Sequence, residues 1–312
     1  MSVNLKKGQV ISQFRILEIL PEGNGGMATV VKAANINNSH NVALKLCRSS
    51  EYSAFNVNAL KAEVGILQLL NHPGIVKIIP IQAEIGKQVF MERATEITGG
   101  PWFFVMEYLD GGSVGDLLKK TKTLSEEETG AIIYKLVSAL DHIHSKGYAH
   151  NDIKANNVLF RKKLEANSTF DPVLIDFGIT RKKERVQQDA GSLYYMAPEQ
   201  LQEIRDERPP EMLLDGTKVD VYSIGVLMYK MLASKLPLSG LSEVGITTAI
   251  MTKTPTNPKQ INAKISNHVN DLIMSCLAKH PDARPNNQQI KLAFKQYADC
   301  TFTSKISRGL FH

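Results

Sequence analysis

The first third of the chain alternates short extended apolar runs with turn residues. "FRILEIL" (14–20), "GNGGMATVVKAANI" (23–36) and "HNVALKLCR" (40–48) have strand length, are punctuated by Gly and Asn, and predict antiparallel strands. The period then changes. In "NVNALKAEVGILQLLNH" (56–72), Leu60, Val64 and Leu67 fall on one helical stripe that Leu69 and Leu70 widen, with Glu63 offset from it, and "HPG" stops the helix. Runs at 75–81 and "WFFVMEYL" (102–109) predict strands that complete a small sheet. Beyond "DGGS", the segments "VGDLLKK" (114–120), "SEEETGAIIYKLVSALDHIHSKG" (125–147) and 219–236 predict helices. The pattern divides near Leu109 into a strand-rich and a helix-rich part.

Composition narrows the class. At 312 residues and 43% hydrophobic, the chain has enough apolar material for one large domain or two small ones. A membrane span needs about 18 uncharged apolar residues, and "VYSIGVLMYKMLASKLPL" is interrupted by Lys230 and Lys235, so it predicts a buried helix. "MSVNLKKGQVISQF" has no signal-peptide pattern, Ser2 stands where myristoylation needs Gly, and "RGLFH" carries no prenylation cysteine. Cys47, Cys276 and Cys300 are too scattered for a disulfide framework or a zinc site. The expectation is a soluble cytoplasmic protein. The net charge of +6 raises the question of nucleic acid, but the basic residues are dispersed with no aromatic interleaving, so none is expected as a partner. "RKKER" (181–185) reads first as a solvated charged face and second as a reader of acidic or phosphorylated substrates.

Several polar stretches carry candidate chemistry. "GNGGMATV" (23–30) lies between two strand-like runs, where glycines let a hairpin approach phosphate oxygens and offer them backbone N–H groups. "VALK" ends in Lys45 on an apolar strand: either a surface lysine, or a buried cation for which Glu63 on the following helix is the available anion. "HNDIKANNVLF" gathers Asp152, Lys154 and Asn157 on a loop before an apolar run. A carboxylate there can take a proton from an attacking hydroxyl, an amide oxygen can ligate magnesium, and an ammonium can neutralise a phosphate in transfer. "VLIDFG" ends an apolar strand with Asp176, which pairs with Asn157 as a hard oxygen donor set or acts only as a turn former.

Taken together and in this order, with "APE" at 197–199, these motifs resemble the eukaryotic-like serine/threonine protein kinase family across nearly the whole chain. The resemblance implies an α+β, bilobal protein kinase fold: a small antiparallel β-sheet N-lobe with one key helix, a larger mainly helical C-lobe, and ATP between them. It sets an N-terminal extension at 1–13, a kinase domain at 14–297 (N-lobe 14–106, hinge 107–110, C-lobe 111–297) and a tail at 298–312. It implies ATP contacts from Gly23, Asn24, Gly25, Gly26, Val30, Ala43 and Lys45, from the gatekeeper position Met106, from Glu107 and Leu109 of the hinge, and from Ser113.

By the same resemblance Lys45, paired with Glu63, meets the α- and β-phosphates. Asn157 and Asp176 hold Mg2+, with Mn2+ as the substitute; Asp152 deprotonates the acceptor hydroxyl; Lys154 steadies the γ-phosphate. Asp220 resembles the brace of the catalytic loop, Arg284 the partner of Glu199, and Ser192 the hydroxyl that contacts Lys154. "DIKANN" is similar to the serine/threonine-directed form, which implies protein Ser/Thr substrates and sets no oligomeric state. A non-catalytic kinase-like scaffold and a small-molecule kinase are the alternatives.

Two positions depart from the pattern. Ala28 replaces the third glycine of the loop. Asn151 replaces the arginine that in many kinases binds a phosphorylated activation segment. The segment "ITRKKERVQQDAG" (179–191) offers Thr180 as its hydroxyl, close to Gly178. The expectation is activity that does not depend on activation-loop phosphorylation.

Overall fold

The structure, a computed structural model, describes residues 5–20, 28–47, 54–84, 86–177, 190–204 and 215–303. These form two compact units. The first takes the residues up to 71 together with 75–108 and 176–177; the second takes 72–74, 109–175 and the described residues from 190 onward.

In the first unit the predicted strands pair as β2 (Phe14–Ile19), β3 (Ala28–Asn35) and β4 (Asn41–Cys47), preceded by a short β1 (Val10–Ile11) and followed by helix α1 (Ala54–Leu69). Then come β5 (Ile78–Ile79), the β6–β7 hairpin (Ile81–Glu84, Lys87–Val89), β8 (Glu92–Arg93) and β9 (Trp102–Glu107). The sheet is antiparallel in the order β1-β2-β3-β4-β9-β5, with β8 also on β9. Period two separates its faces. Val31, Ala33, Val42, Leu44, Leu46, Phe103 and Val105 enter one core with Ile16, Phe14 and Ile81. The residues between them, Val30, Ala43, Lys45 and Met106, share the opposite face.

Three details depart from the sequence reading. The kinase resemblance set residues 1–13 apart as an extension; in the structure β1 extends the sheet, and Leu5 and Ile11 are buried in its core. The strand expected over 75–81 is broken into β5 and the first residue of β6, while Ile75 and Val76 are buried outside the ladder. Leu60, Val64 and Leu67 of α1 and Leu70 just beyond it are buried, but Leu69 is 54% exposed. The place on the buried face goes instead to Glu63, at 4% exposure, since positions 60, 63, 64 and 67 follow the helical period.

The second unit is mainly helical. Helices α2 (Val114–Thr121) and α3 (Glu126–Ser145) both open with capping boxes, Ser113 with Asp116 and Ser125 with Glu128. The hairpin β10–β11 (Val158–Phe160, Pro172–Leu174) precedes α4 (Ala190–Leu193), α5 (Pro198–Ile204), α6 (Gly216–Ala233), α7 (Glu243–Thr252), α8 (Pro258–Ile261), α9 (Asn267–Cys276) and α10 (Asn287–Phe294). Helix α6 is apolar around its whole circumference and is buried from Val219 to Tyr229, as such a helix must be in a globular protein. Among the described residues no helix is long and apolar enough to cross a membrane.

The start of the tail docks on this unit. Thr301 bridges to Thr169, Phe302 is buried with its ring edge-on to Phe170 at 5.9 Å, and Thr303 donates to Glu128 through its backbone N–H and its hydroxyl, both at 3.1 Å.

Candidate active site

Each unit presents its own cluster of chemistry-bearing side chains. In the first, Lys45 Nζ lies 2.7 and 2.8 Å from the two oxygens of Glu63 and 2.7 Å from Asp176 Oδ1. The local reasons are plain. Lys45 pairs across the sheet with Val30 on β3 and Phe104 on β9, on the face turned away from the core, and α1 lays Glu63 against it. Burial alone would drive the ammonium toward neutrality, but the Asp176 and Glu63 carboxylates outweigh it and hold the Lys45 pKa above its ordinary value. Lys45 is therefore a fixed cation. Ala43 stands opposite Met106 in the ladder. Glu107 brackets Lys77, donating its N–H to the Lys77 carbonyl and accepting the Lys77 N–H on Oε1, both at 2.9 Å.

In the second unit the loop from His150 to Asn157 is pinned from below. Asp220 on α6, fully buried, accepts the N–H of His150 at 2.9 Å and of Asn151 at 2.7 Å, and His144 Nε2 donates to the same carboxylate at 2.8 Å. Asn287 Nδ2 donates to His144 Nδ1 at 3.0 Å, which fixes that tautomer. His150, itself buried, donates from Nε2 to the Ile175 carbonyl at 3.1 Å. Asn151 has φ = +61°, a left-handed conformation that asparagine adopts more readily than most residues.

On this base the polar groups converge. Asn157 Nδ2 donates to the Asp152 carbonyl at 2.8 Å and to Asp152 Oδ2 at 2.9 Å. Lys154 Nζ bridges Asp152 Oδ2 at 3.1 Å and Ser192 Oγ at 2.7 Å. Asp152 keeps 32% of its side chain exposed while Lys154 keeps 16%. The Asp152 carboxylate is thus accessible and oriented on one oxygen by two donors.

Each unit holds an oxygen of the kind a hard divalent cation takes: in the second, with Nδ2 spent on Asp152, the remaining polar atom of the Asn157 side chain is its carbonyl oxygen; in the first, Asp176 carries carboxylate oxygens.

Of the other expected site residues, Leu109 is 7% exposed. Just beyond it Gly111 donates to the Phe160 carbonyl at 3.0 Å, and a Cβ there would stand 2.5 Å from that oxygen, so only glycine fits. Ser113 is 2% exposed and caps α2, its hydroxyl donating to Asp116 Oδ2 at 2.6 Å. Gly23, Asn24, Gly25, Gly26, the segment 178–189 and "RKKER" lie outside the described residues.

Sequence reasoning missed the polar supports. Gln200 donates to the Asn151 carbonyl at 3.2 Å, and His144 with Asn287 completes the Asp220 network. Gln200 follows "APE" directly, and that adjacency was the available signal. The expected pair is present: Arg284 grips Glu199 through two nitrogens at 2.5 and 2.8 Å, with 0% and 4% of the side chains exposed.

Comparison with known proteins agrees with this geometry. The sequence profile described as "Protein kinase domain" matches residues 16–293. The putative sperm motility kinase W of Mus musculus is 30% identical over 294 residues, covering 93% of this chain and 52% of the relative. The serine/threonine-protein kinase dst4 of Dictyostelium discoideum is 31% identical over 283 residues, covering 88% and 51%. The chain spans about half the length of the curated relatives it matches. With the profile running through both units and through every motif that carries the chemistry, the chain belongs to the protein kinase family.

Proposed function

We propose that this protein is a serine/threonine protein kinase that transfers the γ-phosphate of ATP to hydroxyls of protein substrates. The observation that carries the reading is Lys154, whose ammonium holds both Asp152 Oδ2 and Ser192 Oγ. Asp152 orients the acceptor hydroxyl and takes its proton; Lys154 balances negative charge at the transferring group; Lys45, a fixed cation set by Glu63, meets the non-transferred phosphates. Val30, Ala43 and Met106 line the adenine-facing side of the sheet, with Glu107 and Leu109 offering backbone groups, and residues 23–26 cover the phosphates. Asn157 and Asp176 would hold a magnesium ion, or manganese in its place, and the ion would neutralise phosphate charge. No disulfide joins Cys47, Cys276 and Cys300, which supports a reducing, cytoplasmic setting.

Activity is further proposed to be independent of phosphorylation in the segment 178–189. Two features support this: Asn151 carries no charge to bind a phosphate, and Lys45 already holds Glu63 and Asp176 in the unmodified chain.

The test is incubation of the purified protein with γ-labelled ATP, magnesium and a generic protein substrate, beside Asp152→Asn and Lys45→Ala. Label on serine or threonine that both substitutions abolish supports the reading, and survival of activity after phosphatase treatment supports phosphate independence. No transfer to any protein, with nucleotide binding intact, overturns the kinase reading in favour of a scaffold or a small-molecule kinase.

A further inference from the structure

Lys230 is an anomaly in α6. The residues before it, Val219 to Tyr229, are buried, and Lys230 itself is half-buried. A cation in such a place is ordinarily paired, because leaving water without an anion is costly. Among the described residues no carboxylate lies within ion-pair reach of it. Its neighbours are instead the ring of Tyr195, with Nζ 5.7 Å from the centroid, and a second cation, Lys119 of α2. Burial, and then the Lys119 charge, hold the Lys230 pKa below its ordinary value. Lys119 has a partner of its own, Asp116 at 2.8 Å, and is 66% exposed.

This cationic spot borders the acceptor chemistry within the same unit. Tyr195 donates its N–H to the Ser192 carbonyl at 3.0 Å, and Ser192 Oγ is held by Lys154. The Tyr195 side chain is 6% exposed and its phenol lies against the backbone of Ala155, next to Lys154. Chemistry that engages Lys230 is therefore one aromatic ring away from the group that binds Asp152.

We infer that Lys230, assisted by Lys119, forms an anion-reading subsite that selects protein substrates with a carboxylate or phosphate close to the serine or threonine to be modified. The inference rests on the proposed kinase reading and deepens it. Tyr195 forms the wall of the subsite: its ring face favours the cation and restricts where the ammonium can go. An incoming anion replaces the lost hydration of Lys230 and relieves its repulsion with Lys119, so it is bound more strongly than at a fully solvated lysine. The net charge of +6 raises the approach rate of acidic partners in the same direction.

The test uses the full chain and fluorescein-labelled peptides with one serine flanked by alanine, aspartate, phosphoserine or arginine. Binding is read by anisotropy and phosphoryl transfer by KM and kcat. The wild-type protein is expected to bind the aspartate peptide about 10-fold more tightly than the arginine peptide, with the gain in KM rather than kcat. Lys230→Met should bring the two within about 2-fold, and Lys230→Glu should invert the order. Melting temperatures of both variants guard against misfolding, the methionine variant keeping the apolar stem. Phosphoserine tighter than aspartate identifies phosphate as the anion read; equal affinity identifies carboxylate.

An unchanged order of preference in Lys230→Glu, or equal weakening for every peptide, overturns the inference and leaves Lys230 as a structural cation. If no peptide is phosphorylated, the kinase reading fails, and the binding arm still decides the subsite.

Discussion

Lys45 and Asp176 are 131 positions apart in the chain, yet Nζ and Oδ1 meet at 2.7 Å, with Glu63 on the other side of the same ammonium. Three charges share one point. Removing the lysine leaves the Glu63 carboxylate, 5% exposed, without its cation, a loss of about 3–5 kcal/mol for a buried pair. Lys45→Ala should lower thermal stability as well as abolish transfer. Glu63→Gln keeps the volume and should fold, while kcat/KM falls by about 10²-fold as Lys45 loses its fixed position. Denaturation curves and steady-state kinetics on the two variants separate these effects.

Asp220 is predicted to act through the backbone it holds. In Asp220→Asn one acceptor oxygen becomes a donor facing an N–H of His150 or Asn151, costing about 1–3 kcal/mol. The expected signature is faster hydrogen exchange at those two amides, a lowered kcat and an unchanged KM for ATP. A raised KM for ATP with kcat intact would show that the network serves nucleotide binding instead.

The Arg284–Glu199 pair is among the most deeply buried charges described, and the guanidinium also donates to the carbonyls of Lys218, Ala278 and Lys279. Glu199→Gln should cost about 3–5 kcal/mol. For a unit of this size that corresponds to a melting temperature lower by about 6–20 °C, measurable by calorimetry.

Lys279 gives a pH dependence with a definite sign. Burial, then the nearby Arg284 charge, pushes its pKa down to about 8, while its Nζ donates to the Ile250 carbonyl at 2.7 Å. Because the unfolded chain keeps this proton up to about pH 10.5, the unfolded state binds more protons between pH 8 and 10.5. The Lys279 contribution therefore rises with pH across that window and is at its least favourable below it. Stability measured against pH should climb more steeply in the wild type than in Lys279→Met; parallel curves would contradict it.

Burial makes Cys276 chemically quiet. Its thiol is pushed up to about 12, chiefly by desolvation, so the thiolate is scarce at neutral pH. Under native conditions at pH 8, iodoacetamide should label Cys300 before Cys276, with mass spectrometry reading the order.

Apolar spacing made the sheet, α1 and α3 legible, and α6 was legible as a long apolar run. Glu63 was legible for a different reason: it is the available anion on the helix that follows Lys45, although the pattern set it beside the apolar stripe rather than on it. The misses have physical causes. Strand β1 is two residues long, too short to show a period. His144 and Asn287 are 143 positions apart, and no local pattern announces such a pair.

The stretch recognised as a kinase domain, 16–293, leaves out residues packed into the core of each unit. Leu5 and Ile11 lie in the core of the first unit ahead of that stretch, and Phe302 lies in the second beyond it. Gly130 on α3 shows how closely the far margin is fitted: a Cβ there would come within 2.5 Å of the Tyr297 ring and 2.8 Å of Phe294. A chain trimmed to the recognised stretch would keep every residue that handles phosphate and yet lay bare apolar surface at both of its cut ends. Such a fragment should be sticky before it is inactive, its failing one of self-association rather than of chemistry.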